Sequence, residues 1–142
     1  MEKIKYGLRD DWILEEMMKV AIEDEKCDME KYRRLARNAK KEHDQKLLFS
    51  IADEERRHRK ALQFLFHSFF GKDVETAHCK GDHYGDFMEA IRKSIVSEYG
   101  AVAFYREILN RIPDDRMRTP IRQIMADEQK HAQILEGIME YK

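Results

Sequence analysis

The sequence predicts an all-α chain folded as a four-helix bundle, and three observations predict it. Of its 142 residues, 42% are hydrophobic and 39% charged, with Glu, Lys, Arg, Leu, Ala and Met dominating as in helical proteins. Only 2 Pro and 6 Gly are present, too few for an all-β chain, which needs turn signals about every ten residues. Apolar residues recur at helical spacing in four long stretches. The length sets a single domain over 1–142 with a core of useful size, and excludes a multidomain enzyme.

The first helix is predicted over 10–40, with Asp10 or Asp11 as its cap, and the second over 43–70. The third spans 86–112, opened by Asp82 or Asp86, and the fourth 115–141, after the break at Pro113, Asp114 and Asp115. Pro120 lacks a donor and crowds the preceding turn, which allows the fourth helix to start as late as Thr119 as cap and Pro120 as first residue. Residues 71–85 are the one stretch rich in loop formers. Extended, such a segment reaches about 50 Å, whereas a 25-residue helix is roughly 37 Å long. It is predicted to cross the length of the bundle. Two short connections and one long crossover describe a ferritin-like arrangement of two antiparallel helix pairs, the second and third helices running parallel.

Lys and Arg number 27 against 28 Asp and Glu, a formal net charge of -1. No basic excess supports nucleic-acid binding, and Arg56, Arg57, Arg59 and Lys60 read as a solvated face around His58. No apolar run approaches the roughly 20 residues of a membrane span, and Met1 to Lys5 lacks the apolar stretch of a secretory signal. A cytoplasmic protein without membrane contact is expected. Cys27, in a helical pattern, and Cys79, in a loop, cannot supply the paired Cys-x-x-Cys knuckles of an iron–thiolate module. His78, Cys79 and His83 make only an incomplete metal set.

Heptad reading places Leu14, Met18, Ala21, Glu25, Asp28, Tyr32 and Leu35 on one stripe of the first helix, and Phe87, Ile91, Ser94, Glu98, Ala101, Tyr105 and Ile108 on one stripe of the third. The second gives Leu48, Ile51, Glu55, His58, Leu62 and Leu65, the fourth Ile121, Ile124, Glu128, His131, Leu135 and Ile138. The polar members coincide at one offset, 73 residues, as from Glu25 to Glu98 and from His58 to His131. An internal repeat of about 10–70 and 83–142 is inferred. A desolvated carboxylate opposes folding by about several kcal/mol or takes up a proton, so something must compensate the four on this stripe.

Glu55-x-x-His58 and Glu128-x-x-His131 each put a carboxylate and an imidazole one turn apart on one helix face. With Glu25 and Glu98 on the other two helices, four carboxylates and two histidines converge on the bundle axis, the ligand pattern of di-iron and di-manganese carboxylate bundles. Hard oxygen donors with a minority of nitrogen suit iron or manganese, and four negative charges balance two divalent cations; the sequence leaves zinc open. Asp24, Glu54 and Asp127 stand near enough to be candidate acceptors for the second ring nitrogen of each histidine.

From about Trp12 to Met139 the sequence resembles the rubrerythrin branch of the ferritin-like family. Its pattern E-x6-Y, E-x2-H, E-x6-Y, E-x2-H stands as Glu25 with Tyr32, Glu55 with His58, Glu98 with Tyr105, and Glu128 with His131. The resemblance implies two iron ions bridged by Glu55 and Glu128, with Glu25 and His58 completing one position and Glu98 and His131 the other; which terminal Glu joins which His is left open. It implies reduction of hydrogen peroxide or oxygen by electrons from a separate donor such as a rubredoxin, since the rubredoxin domain of such proteins has no counterpart here. Peroxidase members of the family also carry an extra Glu one turn after the third-helix ligand, where this chain has Ala101. Its counterpart on the first helix is Asp28, a shorter carboxylate and the candidate catalytic residue, while Gly100 and Ala101 leave space for a small oxidant. Tyr32 and Tyr105 are expected to hydrogen-bond ligand carboxylates.

Two other classes use the same residues: a ferroxidase or iron-handling protein, and a non-catalytic metal-stabilised bundle. A cage-forming ferritin usually needs a longer chain. Phe64, Phe66 and Phe70 beside the stripe of Leu62, Leu65 and Phe69 make the end of the second helix apolar nearly all round, to be covered by the crossover or by a second subunit in a homodimer.

Overall fold

The computed structural model describes residues 11–75, 78–81 and 85–140. Four helices make up its regular structure: α1 (Trp12–Asn38), α2 (Glu42–Phe70), α3 (Phe87–Arg111) and α4 (Asp115–Glu140). Asp11 caps α1, its Oδ1 accepting from the Leu14 N–H at 2.9 Å, and Asp86 caps α3 by accepting from the Glu89 N–H at 2.7 Å. The alternative caps Asp10 and Asp82 lie outside the described residues, as does His83. Gly71, at φ 70°, ends α2 in the left-handed conformation that glycine adopts without a Cβ penalty, and its N–H returns to the His67 carbonyl at 2.8 Å.

Helix α4 starts at Asp115, ahead of the late start that Pro120 allowed. The Asp114 carboxylate accepts from the Arg116 N–H at 2.9 Å and its carbonyl from the Met117 N–H at 3.0 Å, so the first turn is anchored before the proline is reached. Pro120 then costs one backbone bond early in the helix, while Ile121 and Ile124 just beyond it are buried and hold the helix on the core.

Helix α1 packs along α2 and α3 along α4, each pair closed by a short connection, with smaller contacts between α1 and α3 and between α2 and α4. Two apolar clusters occupy the two ends. One joins the first half of α1 and the start of α4 to the ends of α2 and α3, through Leu14, Ile22, Leu65, Phe66, Ile108 and Ile121. The other joins the opposite ends, through Tyr32, Leu35, Leu48, Ile51, Ile91 and Leu135. This arrangement makes α2 parallel to α3, as a crossover running the length of the bundle requires. Phe66, Phe69 and Phe70 are core residues with Val74 of the crossover packed against them, so the chain itself covers most of the apolar end of α2. Phe64 stays 70% exposed.

The contrast between neighbours on α2 gives a stability test. Leu62→Ala should cost about 2–5 kcal/mol in denaturant unfolding, whereas Phe64→Ala should change stability by no more than about 0.5 kcal/mol. Equal effects would contradict the helix orientation.

Candidate metal centre

Between the two apolar clusters lies a polar layer. On α1 and α3, Glu25 and Glu98 point inward because they continue the apolar stripe; on α2 and α4 the i, i+3 spacing stacks Glu55 on His58 and Glu128 on His131. All six side chains are buried, none more than 5% exposed. They form two overlapping groups, Glu25, Glu55, His58 and Glu128, and Glu55, Glu98, Glu128 and His131, whose donor atoms lie within 4.8 Å of one another. Glu55 and Glu128 belong to both.

Each imidazole turns Nδ1 toward the layer. His58 Nδ1 is 3.4 Å from Glu25, 3.2 Å from Glu55 and 3.3 Å from Glu128. His131 Nδ1 is 3.4 Å from Glu55, 3.3 Å from Glu128 and 3.8 Å from Glu98. The outer nitrogens are held across the α2–α4 contact, His58 Nε2 by Asp127 at 2.8 Å and His131 Nε2 by Glu54 at 2.7 Å. Two of the three candidate acceptors thus meet the imidazoles; the third, Asp24, lines a cavity instead. The tyrosines do as expected and cross the α1–α3 contact: Tyr32 donates its hydroxyl proton to Glu98 and Tyr105 to Glu25.

These outer bonds leave the inner atoms without partners. Glu25 Oε1, both oxygens of Glu55, His58 Nδ1, Glu98 Oε1, Glu128 Oε1 and His131 Nδ1 are buried and lack an adequate hydrogen bond. Orphaned buried polar atoms are costly. Here they face one another, two nitrogens and five oxygens on a common centre, a donor set suited to cations.

Without cations, protons must do the compensating. Burial, reinforced by the charge of Glu128, pushes the Glu25 carboxyl up to about 7. Burial and the charges of Glu25 and Glu128 raise Glu55 well above the carboxylate range, and burial also raises Glu98. Burial opposes ionisation of Glu128 too, but the close approach of the His131 and His58 imidazoles outweighs that and takes it down to about 2. Burial likewise disfavours the imidazolium forms, and the surrounding carboxylates overcome it to raise both His58 and His131 far above their usual value.

A cavity of about 400 Å³ opens between α1 and α3 and reaches Glu25 and Glu128. Asp28 lines it, outside both donor groups and 3.6 Å from the Lys31 ammonium, which also sits 4.5 Å over the Tyr32 ring. Gly100 and Ala101 form part of the opposite wall. Sequence reasoning missed Lys31, a buried cation, and missed that Cys27 and Cys79 are joined by a disulfide on the same cavity. The crossover length gave reach enough to pass another helix but no sign of which one. Arg56, Arg57 and Lys60 are exposed and Arg59 partly so.

The protonation pattern sets the sign of a pH dependence. With a chelator present, the folded chain binds more protons than the unfolded one between the ordinary value of Glu25, about 4.5, and its raised value of about 7. Stability falls as pH rises through that window, and the raised histidines extend the fall above pH of about 6.5. Glu128 acts oppositely, its contribution being present above about 4.5 and lost as pH drops toward about 2. The melting temperature of the chelated protein should therefore decline from about pH 5 to about pH 8, and Glu25→Gln should flatten the lower part of the decline. A rise over that interval would contradict the layer's electrostatics.

The rubrerythrin family model matches residues 16–84, which contain Glu25, Tyr32, Glu55 and His58. A structure described as a hypothetical protein from Pyrococcus furiosus is similar, with a TM-score of 0.80 and 25% identity over 94% of this chain and 92% of that one. No curated protein matches. The fold is that of a ferritin-like four-helix bundle, and its first half, over residues 16–84, is similar to the rubrerythrin family.

Proposed function

We propose that the chain is a di-iron oxidoreductase of rubrerythrin type, reducing hydrogen peroxide, or oxygen, with electrons from an external donor of the rubredoxin kind. The observation that carries this reading is the set of seven buried, inward-facing polar atoms with no partner among the protein's own groups. In this reading Glu55 and Glu128, which belong to both donor groups, would help hold both irons, with Glu25 and His58 holding one and Glu98 and His131 the other. When bound, two ferrous ions supply the two electrons that reduce a peroxide to water. Manganese or zinc would fit the same donors without the same chemistry.

The chain's own residues do the rest. Asp127 and Glu54 fix the ring orientation of His58 and His131, so that Nδ1 faces inward. Tyr32 and Tyr105 keep their protons, burial raising both hydroxyls well above the usual tyrosine value, and remain donors to Glu98 and Glu25. The cavity would admit a small oxidant beside Gly100 and Ala101, between Ser97 and Phe104 on the same wall. Asp28 lies on that route, and burial raises its carboxyl, which suits it to hold a proton at the carboxyl oxygen and pass it to a departing oxygen atom.

Anaerobic iron loading followed by mixing with peroxide and with oxygen tests the reading. It expects two irons per chain by elemental analysis, faster oxidation by peroxide than by oxygen, and loss of metal from both positions in Glu128→Ala. Iron binding at a thousandfold excess over Kd should stabilise the fold by about 4 kcal/mol. Asp28→Ala should slow oxidation by peroxide at least about tenfold, about 1.4 kcal/mol in the barrier, with both irons retained. Ala101→Glu in that background should restore part of the rate. Ferric iron accumulating beyond two per chain would favour iron handling, and a zinc protein unreactive after iron loading would favour a metal-stabilised bundle.

A further inference from the structure

The cavity that reaches Glu25 and Glu128 has a second redox-capable group on its wall. Cys27 stands on α1 two residues after Glu25 and next to Asp28, and its sulfur is bonded to Cys79, 52 residues away in the crossover segment. Both half-cystines line the cavity and both are only partly buried. A disulfide that serves only as a staple has no need of either feature; exposed disulfides are the more readily reduced ones. Lys80, adjacent to Cys79, and Arg34 line the same cavity, so a Cys79 thiolate would have cationic neighbours, with Asp24 and Asp28 as the facing acids.

We propose that Cys27 and Cys79 form a redox-active pair, reduced by an external dithiol and reoxidised by a peroxide entering the cavity that the pair shares with the carboxylate–histidine layer. The choice of peroxide as oxidant rests on the functional reading above; the exchange with a dithiol does not.

In the reductive half, a thiolate of the external dithiol attacks Cys27 Sγ. The Sγ–Sγ bond breaks, Cys79 leaves as a thiolate, and the second thiol of the reductant displaces Cys27, so two electrons enter the protein and the reductant departs as its disulfide. In the oxidative half, the Cys79 thiolate attacks one peroxide oxygen and the O–O bond breaks. The departing hydroxide takes up a proton and leaves as water, and Cys79 becomes a sulfenic acid. Cys27 then condenses with it, reforming the disulfide and expelling a second water. Two thiols are oxidised and one peroxide is reduced, with no further reactant. In a reducing compartment a disulfide is transient and catalytic or redox-sensing rather than permanent, which is the behaviour described.

The test uses the full chain loaded with zinc, which does not change oxidation state, so that only the thiols can consume peroxide. The folded protein is treated with dithiothreitol, freed of it, and titrated for thiols without denaturant, then mixed with one equivalent of hydrogen peroxide. The expected result is two thiols per chain after reduction, and loss of both at least about tenfold faster than free cysteine is oxidised under the same conditions. Cys79→Ser should leave the Cys27 thiol reacting no faster than free cysteine. Thiols that appear only after denaturation, or that reoxidise at the free-cysteine rate, would overturn the proposal, and both results come from the unsubstituted protein. Iron that is oxidised by peroxide in a chain whose thiols stay inert would overturn this proposal while leaving the di-iron reading in place.

Discussion

Four carboxylates and two imidazoles, withdrawn from water in the middle of a helical bundle and facing one another, set the terms for the rest of this structure. Helices bury apolar stripes because water expels them. Here each stripe is interrupted at the same level by groups that water would keep, Glu25, Glu55 with His58, Glu98, and Glu128 with His131. The interruption is tolerated because apolar clusters above and below it fasten the four helices together. It is also tolerated because four outer atoms of the layer have partners: tyrosine hydroxyls on Glu25 and Glu98, acids on the outer nitrogens of both histidines. Within these six side chains the unsatisfied atoms gather on the inner face, and that convergence argues for a cation.

Those outer contacts cross between helices in a matched way. Tyr32 of α1 meets Glu98 of α3 while Tyr105 of α3 meets Glu25 of α1; His58 of α2 meets Asp127 of α4 while His131 of α4 meets Glu54 of α2. Each ring or hydroxyl is therefore held by the other half of the chain, and the two halves position each other's inner atoms. The symmetry ends at the cavity. On α1 its wall carries the charged Asp28 and Lys31 beside Cys27, whereas the α3 side presents the uncharged Ser97, Gly100, Ala101, Phe104 and Tyr105. The matched contacts between the halves thus surround a centre that, among the described residues, opens to one side only.

Much of this was legible in the chain. Helix boundaries fell within a few residues because amphipathic periodicity and capping aspartates are local signals, as at Asp11 and Asp86. The inward Glu and His residues were readable because they continue apolar heptads, a register that sequence spacing alone reveals. Pro120 left a later start for α4 open beside the predicted 115; the helix begins at Asp115 because the proline's local penalty is outweighed by Asp114 anchoring the first turn and by burial of Ile121 and Ile124. Spacing could nominate Asp24, Glu54 and Asp127 but not choose among them, since the choice depends on how α2 meets α4. The Cys27–Cys79 bond was hidden for the same kind of reason: it depends on the path of the crossover over α1, which no local pattern encodes.

Cations at the centre of the polar layer are what its inward-facing donor atoms require. The most direct measurement is a crystal structure of the protein grown with ferrous iron under anaerobic conditions, with anomalous diffraction recorded on both sides of the iron absorption edge. Two iron peaks are expected, one held by Glu25 and His58 and the other by Glu98 and His131, with Glu55 and Glu128 within reach of both. An absence of anomalous density there, with waters or direct hydrogen bonds joining the inner oxygens to His58 Nδ1 and His131 Nδ1, would contradict that requirement.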